Sequence, residues 1–286
     1  MVKALRTDRP PDAMRQTGSE QELGQDELVA GLQALGLQQG DSVVVHSSLS
    51  SLGWVRGGAA TVIESLLAVV GNAGHIMMPY FFPPLYPGVF DYAHPPVPYT
   101  GAVPRALRTW PGAILSIHPT HPFVVVGPAA QQLTEGHYLT SSVGRDSPID
   151  RLAKLGGKVL LLGVGQEANT LIHTGEAYAA VPYWGQLRPD RPPGRRCRLP
   201  DNQEIWVPLP ETPGDGYGFG KIEPWLRQQG LMRLDCIGAA TCSLIPGQRL
   251  IETVIEFLEN EPGGLLCDRP DCTFCLWARQ FLVVPE

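Results

Sequence analysis

No stretch of this sequence carries the roughly 18 consecutive apolar residues that a membrane-spanning helix requires, so no membrane partner is expected. The first residues, MVKALRTDRPPDAMRQTGSEQE, are polar and lack the apolar core of a secretory leader. Residues 1–22 are expected to form a loose arm. There is no block of Lys and Arg, and the formal net charge is −6, which disfavours nucleic acid as a partner. A G-x-S-x-G elbow is absent, and with it the signature of a serine hydrolase of that kind. No internal repeat or low-complexity linker divides the chain, so residues 23–286 are read as one domain with a large core. Six cysteines in 286 residues, with no leader, predict thiols or metal ligands in a cytoplasmic protein rather than a disulfide framework.

What is present centres on residues 158–178, KVLLLGVGQEANTLIHTGEAY. Val159 to Leu162 is too short for a helix and does not alternate, so it reads as a strand buried on both faces. Gly163 and Gly165 allow a sharp turn, and Asn169 is placed to cap a helix starting near Thr170. Upstream, Leu28, Leu32 and Leu35 have helical spacing and end at glycines. DSVVVH (41–46) and GHIMMP (74–79) read as further buried strands, with a helix over 59–70 between them. The alternation predicts an α/β fold, layered α/β/α around a central mixed, largely parallel sheet. Residues 80–99, rich in Pro and aromatics, are expected to form a loop on the substrate side, or else to pack under their own chain. ILSIHPTHPFVVV (114–126) holds strand material on both sides of a double-histidine kink. Shorter elements are expected at 102–110, 149–155, 204–209, 221–229 and 251–258, and 182–198 reads as irregular.

Gly163, Gly165 and Ala168 match a dinucleotide-binding pattern, but the acidic residue that should follow would be Asp190, in a proline-rich stretch. The glycines are better read as a turn that brings backbone amides near some ligand. His173 and Glu176 share a helix face three positions apart, an arrangement suited to a general base beside an orienting anion. His118 and His121 form a second pair, too few by themselves for a catalytic zinc. Cys267, Cys272 and Cys275 have C-x4-C-x2-C spacing, a structural-zinc signal whose fourth ligand could be Cys236 or Cys242; reduced thiols are the alternative.

VVVHSSLSSLG, GGAATVIESLL, GHIMMP, SIHPTHP, DSPIDRLAKLGGKVLLLGVG and ANTLIHTGEA, in this order, resemble the antibiotic N-acetyltransferase family, whose best-known members are aminoglycoside 3-N-acetyltransferases. The resemblance covers residues from about 25 to 279. It implies acetyl transfer from acetyl-CoA to the 3-amino group of a 2-deoxystreptamine antibiotic, a small cationic amine. The family's essential histidine falls on His173 and its companion carboxylate on Glu176, and a further acidic residue corresponds to Asp215. For the coenzyme the resemblance implies Ser47 and Ser48 near the thioester, Ser147 along the pantetheine arm, and the Gly163, Gly165 and Thr170 turn. Backbone N–H groups of the Ser47–Ser48 loop or of a nearby turn are expected as oxyanion donors. The serines could equally cap the turn and helix that follow them. Asp91, His118 and Tyr80 are expected on the acceptor side.

The chain departs from the family at Pro122, where serine is usual, and at Leu115, where arginine is common. Gln166–Glu167 stand in place of His-Asp, and Arg105 in place of an acidic residue. These changes leave the transferase residues in place and alter the acceptor side. Two alternatives follow: an acyltransferase of another amine metabolite, or a non-catalytic homologue that binds CoA. The oligomeric state, a homodimer included, is left open.

Overall fold

The computed structural model describes residues 22–83, 88–209 and 213–282. The arm expected over 1–22 lies outside them except for Glu22. In chain order the strands are β1 (Ser42–Ser47), β2 (His75–Pro79), β3 (Phe90–Asp91), β4 (Ile114–Leu115), β5 (Phe123–Val126), β6 (Lys158–Leu162), β7 (Gly194–Arg198), β8 (Glu204–Pro208), β9 (Arg233–Ile237) and β10 (Ala240–Pro246). The helices are α1 (Gln25–Leu35), α2 (Ala59–Val70), α3 (Ala102–Arg108), α4 (Ala130–Thr134), α5 (Pro148–Lys154), α6 (Leu171–Ala179), α7 (Glu223–Gln228), α8 (Gly247–Asn260) and α9 (Thr273–Ala278).

Seven strands form one sheet in the order β4-β5-β2-β1-β6-β10-β9. β1 pairs in parallel with both β2 and β6, and the outer pairings are antiparallel. Thus β4, β2, β1, β6 and β9 run one way, and only β5 and β10 oppose them: the sheet is mixed and largely parallel, as expected.

The unbroken apolar runs make sense once both faces are covered. Val44, Val159 and Leu161 pack on one side with α5, α6 and α8. Val43, Val45, Leu160 and Leu162 pack on the other with α1, α2 and α3. Register pairs His46 with Leu161 and Ser47 with Leu162, so the carboxyl ends of β1 and β6 finish side by side. The loops leaving them meet at one edge of the sheet, the usual place for a ligand in such folds.

Three features differ from the sequence reading. β7, in the stretch read as irregular, pairs with β3 and β8 in a separate three-stranded sheet. That sheet buries Phe82, Phe90, Cys197 and Val207, so part of the 80–99 segment is ordinary core. β9 and β10 were not anticipated; β10 extends the main sheet antiparallel to β6. A 3-10 turn at Gln166–Ala168 precedes α6, so Thr170 rather than Asn169 takes the N-cap position.

Candidate active site

α6 presents His173 and Glu176 one turn apart, and their side chains meet: His173 Nδ1 lies 2.6 Å from Glu176 Oε2. The other carboxylate oxygen accepts a 2.7 Å hydrogen bond from the Tyr183 hydroxyl. Glu176 is buried and doubly bonded, so it is fixed. The imidazole packs edge-on against Phe219, centroids 4.7 Å apart. With Nδ1 held by the carboxylate, Nε2 is left to handle a proton.

His173 forms part of the wall of a cleft of about 330 Å³ at the carboxyl ends of β1 and β6, together with His46, Thr100, His121, Thr170 and Asp215. Four buried side-chain polar atoms of its lining residues lack a partner among the described residues: His46 Nε2, Ser47 Oγ, Thr100 Oγ1 and Asn169 Oδ1. An unpaired buried polar atom costs about 1–3 kcal/mol, so such a concentration marks where a ligand supplies the missing partners. Asn169 is aimed by its amide, whose Nδ2 donates to Gln166 Oε1 at 2.8 Å.

The remaining predicted residues divide. Thr170 lines this cleft. Gly163 and Gly165 line a neighbouring one of about 440 Å³, which shares Val164 and Glu167 with the first. Gly163 has φ +71° and sits close between Ser51 and Ala240, a position only glycine fills without strain. Ser47 reaches both the His173 cleft and a wider depression beside Trp54 and Gly58, whereas Ser48 lines only the latter. Of the expected loop amides, that of Ser48 donates to the Leu162 carbonyl at 3.0 Å and is not available as an oxyanion donor.

Ser147 is corrected outright. It is fully buried and its hydroxyl donates to the Gly144 carbonyl at 2.7 Å, so it neither lines these clefts nor caps α5 with its side chain. His118 is also buried away from the cleft and stacks on His137 at 4.7 Å. Burial, reinforced by the neighbouring imidazoles of His137 and His121, holds its pKa well below the usual value. Tyr80 packs against Phe82, and its place on the cleft wall is taken by Tyr99 and Phe81. Asp91 ends β3, where its backbone bond from Ala93 and its neighbours His94 and Arg198 lower its pKa, outside the described clefts.

Asp215 lines the cleft but makes no hydrogen bond to His173; Glu176 has that place. Its Oδ2 instead accepts from Cys272 Sγ at 2.7 Å, and Oδ1 accepts from the Tyr217 amide at 3.2 Å. Asp215, Cys267, Cys272 and Cys275 bring their ligand atoms within 4.8 Å of one another. The expected fourth thiols are elsewhere: Cys236 is exposed on β9 and Cys242 is buried on β10. Sequence reasoning gave His46 and Asn169 no site role and assigned His121 only to a metal pair. The signal for all three lay in motifs already singled out, but only cleft geometry separates His121 from His118.

A profile of the family described as aminoglycoside 3-N-acetyltransferase matches residues 44–259. Aminoglycoside N(3)-acetyltransferase VIII of Streptomyces fradiae is 34% identical, aligned over 83% of this chain and 92% of its own length. Aminoglycoside N(3)-acetyltransferase III of Serratia marcescens is 38% identical, over 84% of this chain and 98% of its own. Among solved structures, aminoglycoside acetyltransferase AAC(3)-IVa in complex with a gentamicin superposes with TM-score 0.79 at 31% identity, covering 94% of this chain and 100% of that one. AAC-IIIb with CoASH superposes with TM-score 0.71 at 28% identity, covering 84% and 97%. With its layered sheet and a His–Glu pair whose histidine lines the cleft at the sheet's carboxyl edge, the chain belongs to the aminoglycoside 3-N-acetyltransferase family and is an acetyltransferase.

Proposed function

We propose that this enzyme transfers the acetyl group of acetyl-CoA to the 3-amino group of a 2-deoxystreptamine aminoglycoside, with His173 as general base. The observation that carries the reading is the 2.6 Å His173–Glu176 contact at the wall of a cleft that also holds Asp215 and Glu167. Two carboxylates there suit a polycationic acceptor. Relatives solved with a gentamicin, with apramycin and with CoASH support both ligands.

The amine attacks as its neutral form, and its lone pair adds to the thioester carbonyl carbon. His173 Nε2 takes the proton that the nitrogen sheds, and the Glu176 carboxylate stabilises the imidazolium through Nδ1–H. Collapse of the tetrahedral adduct breaks the C–S bond, and the proton passes to the departing thiolate. The pantetheine arm would reach the reacting centre from the cleft lined by Gly163 and Gly165, through the wall shared at Val164 and Glu167.

The cysteine cluster fits a structural zinc. Three thiols and the Asp215 carboxylate make a closed four-ligand set, and the amides of Cys267 and Cys275 already donate to Cys275 Sγ at 3.2 Å and Cys272 Sγ at 3.3 Å. Such an ion would tie the 214–216 wall of the cleft to α9 and supply no reacting group.

Thiol release from acetyl-CoA, measured against a panel of aminoglycosides and other amines, tests the assignment. Turnover of a deoxystreptamine aminoglycoside is expected, falling about 100-fold or more in His173→Ala, the usual scale for losing a general base. Glu176→Gln should also lose kcat. Absence of turnover with every aminoglycoside, or a His173→Ala variant as fast as wild type, would overturn it.

A further inference from the structure

We propose that His121 is the oxyanion donor of the acetyl transfer: its Nε2–H, fixed in that tautomer by Thr120, hydrogen-bonds the thioester carbonyl oxygen as the amine adds. The inference rests on the transfer proposed above and supplies the donor that Ser48 cannot.

The tautomer follows from the hydrogen bonds around the 118–122 turn. His118 Nδ1 accepts two backbone N–H groups, from Thr120 at 3.3 Å and from His121 at 3.0 Å. A nitrogen accepting both carries no hydrogen. The Thr120 hydroxyl lies 3.3 Å from that filled acceptor and 2.8 Å from His121 Nδ1. Assigning that hydrogen to His121 Nδ1, the shorter of the two contacts, places the hydrogen of the neutral His121 ring on Nε2.

The ring is also held in place. Its edge packs against Phe81, centroids 4.7 Å apart. Pro122 restricts the backbone of the preceding residue to extended conformations, and the Pro122 carbonyl is pinned by the Tyr80 amide at 2.9 Å. The proline that departs from the family pattern thus stiffens the residue proposed as donor. His121 lies in the same cleft wall as His173. Burial first, then the charges of His173, His137 and Arg191, push its pKa down to about 3, so it remains neutral when His173 takes a proton. A neutral imidazole cannot serve as the base at that pKa, yet it donates a hydrogen bond throughout the working range, the electrophile role known for imidazoles elsewhere.

The step balances without further reactants. The amine lone pair forms the C–N bond, the carbonyl π pair moves onto oxygen, and that oxygen accepts the hydrogen bond from His121 while His173 takes the proton from nitrogen. The oxygen pair then re-forms the carbonyl as the C–S bond breaks onto sulfur. No proton leaves His121.

The test measures kcat, KM and pH profiles for wild type, His121→Ala, His121→Gln and Thr120→Val, with CoA affinity and melting temperature as controls for folding. His121→Ala should lose about 100- to 1000-fold in kcat, the scale of removing one oxyanion donor, with KM for acetyl-CoA nearly unchanged. His121→Gln, which can still present an N–H, should recover part of that loss. Thr120→Val should lower kcat by freeing the tautomer. A folded His121→Ala with wild-type kcat would overturn the inference and leave the transfer standing. Wild type inactive toward every amine would overturn the transfer itself.

Discussion

Asp215 separates two roles that one carboxylate could serve. Its oxygens are bonded to the Tyr217 amide and the Cys272 thiol, and none reaches His173. Burial and the neighbouring Asp215 raise the Cys272 thiol pKa, a strain that a bound cation would relieve by taking the thiolate. A zinc held by the cluster should be lost in Asp215→Asn, with a lower melting temperature, whereas Glu176→Gln should lose turnover and leave the metal content as in wild type. Zinc content of protein purified without chelator is expected near one ion per chain; metal-free wild type, or an Asp215→Asn variant that binds zinc as before, would remove the metal role from Asp215.

Between elements, the position of His173 depends on how closely α6 approaches α8. Gly175 lies between His173 and Glu176 on α6, and a Cβ there would stand 2.4 Å from Val254 Cγ1. Valine is stiff about χ1, so it cannot simply swing aside. Gly175→Ala should cost about 1–3 kcal/mol, read from the urea midpoint, by overpacking this helix pair. Turnover should fall with it as His173 shifts from the cleft. A variant as stable and active as wild type would show that the helices part easily. The parallel trio β2, β1 and β6 is the complementary rigid wall, and it delivers His46, Ser47 and Gly163 to adjoining positions.

Across the whole molecule, buried histidines set the acid sensitivity. Burial drives His46 and His137 from 6.5 to about 3. Unfolded, each binds a proton near its ordinary value; folded, it does not. The unfolded state thus binds more protons between those pH values, and stability falls as pH drops. The contribution is complete above about 6.5 and is progressively lost from there toward about 3. Urea midpoints recorded from pH 7.5 to 4 should decrease, and His137→Gln should flatten the slope if it folds. A midpoint constant over that range would show these rings are solvated. No described helix is long and apolar enough to cross a membrane.

Some of this was readable from the chain alone because it is local. Val159–Leu162 had to be a strand buried on both sides, and His173 and Glu176 had to share a face, since three-residue spacing on a helix brings side chains together whatever surrounds them. The motif order identified the family for the same reason: each motif is a short segment with its own strand, turn or helix. Contacts between distant segments were decided only by the tertiary structure. Asp215 meets Cys272 across 57 positions, and no spacing rule predicts that pairing. Ser147 looked available and is buried; Ser48 has an amide that the Leu162 carbonyl of β6 claims; of two histidines in one turn, the fold buries His118 and opens His121 to the cleft. A sequence lists the groups that could react, but burial and the direction of a hydrogen bond are properties of everything packed around them.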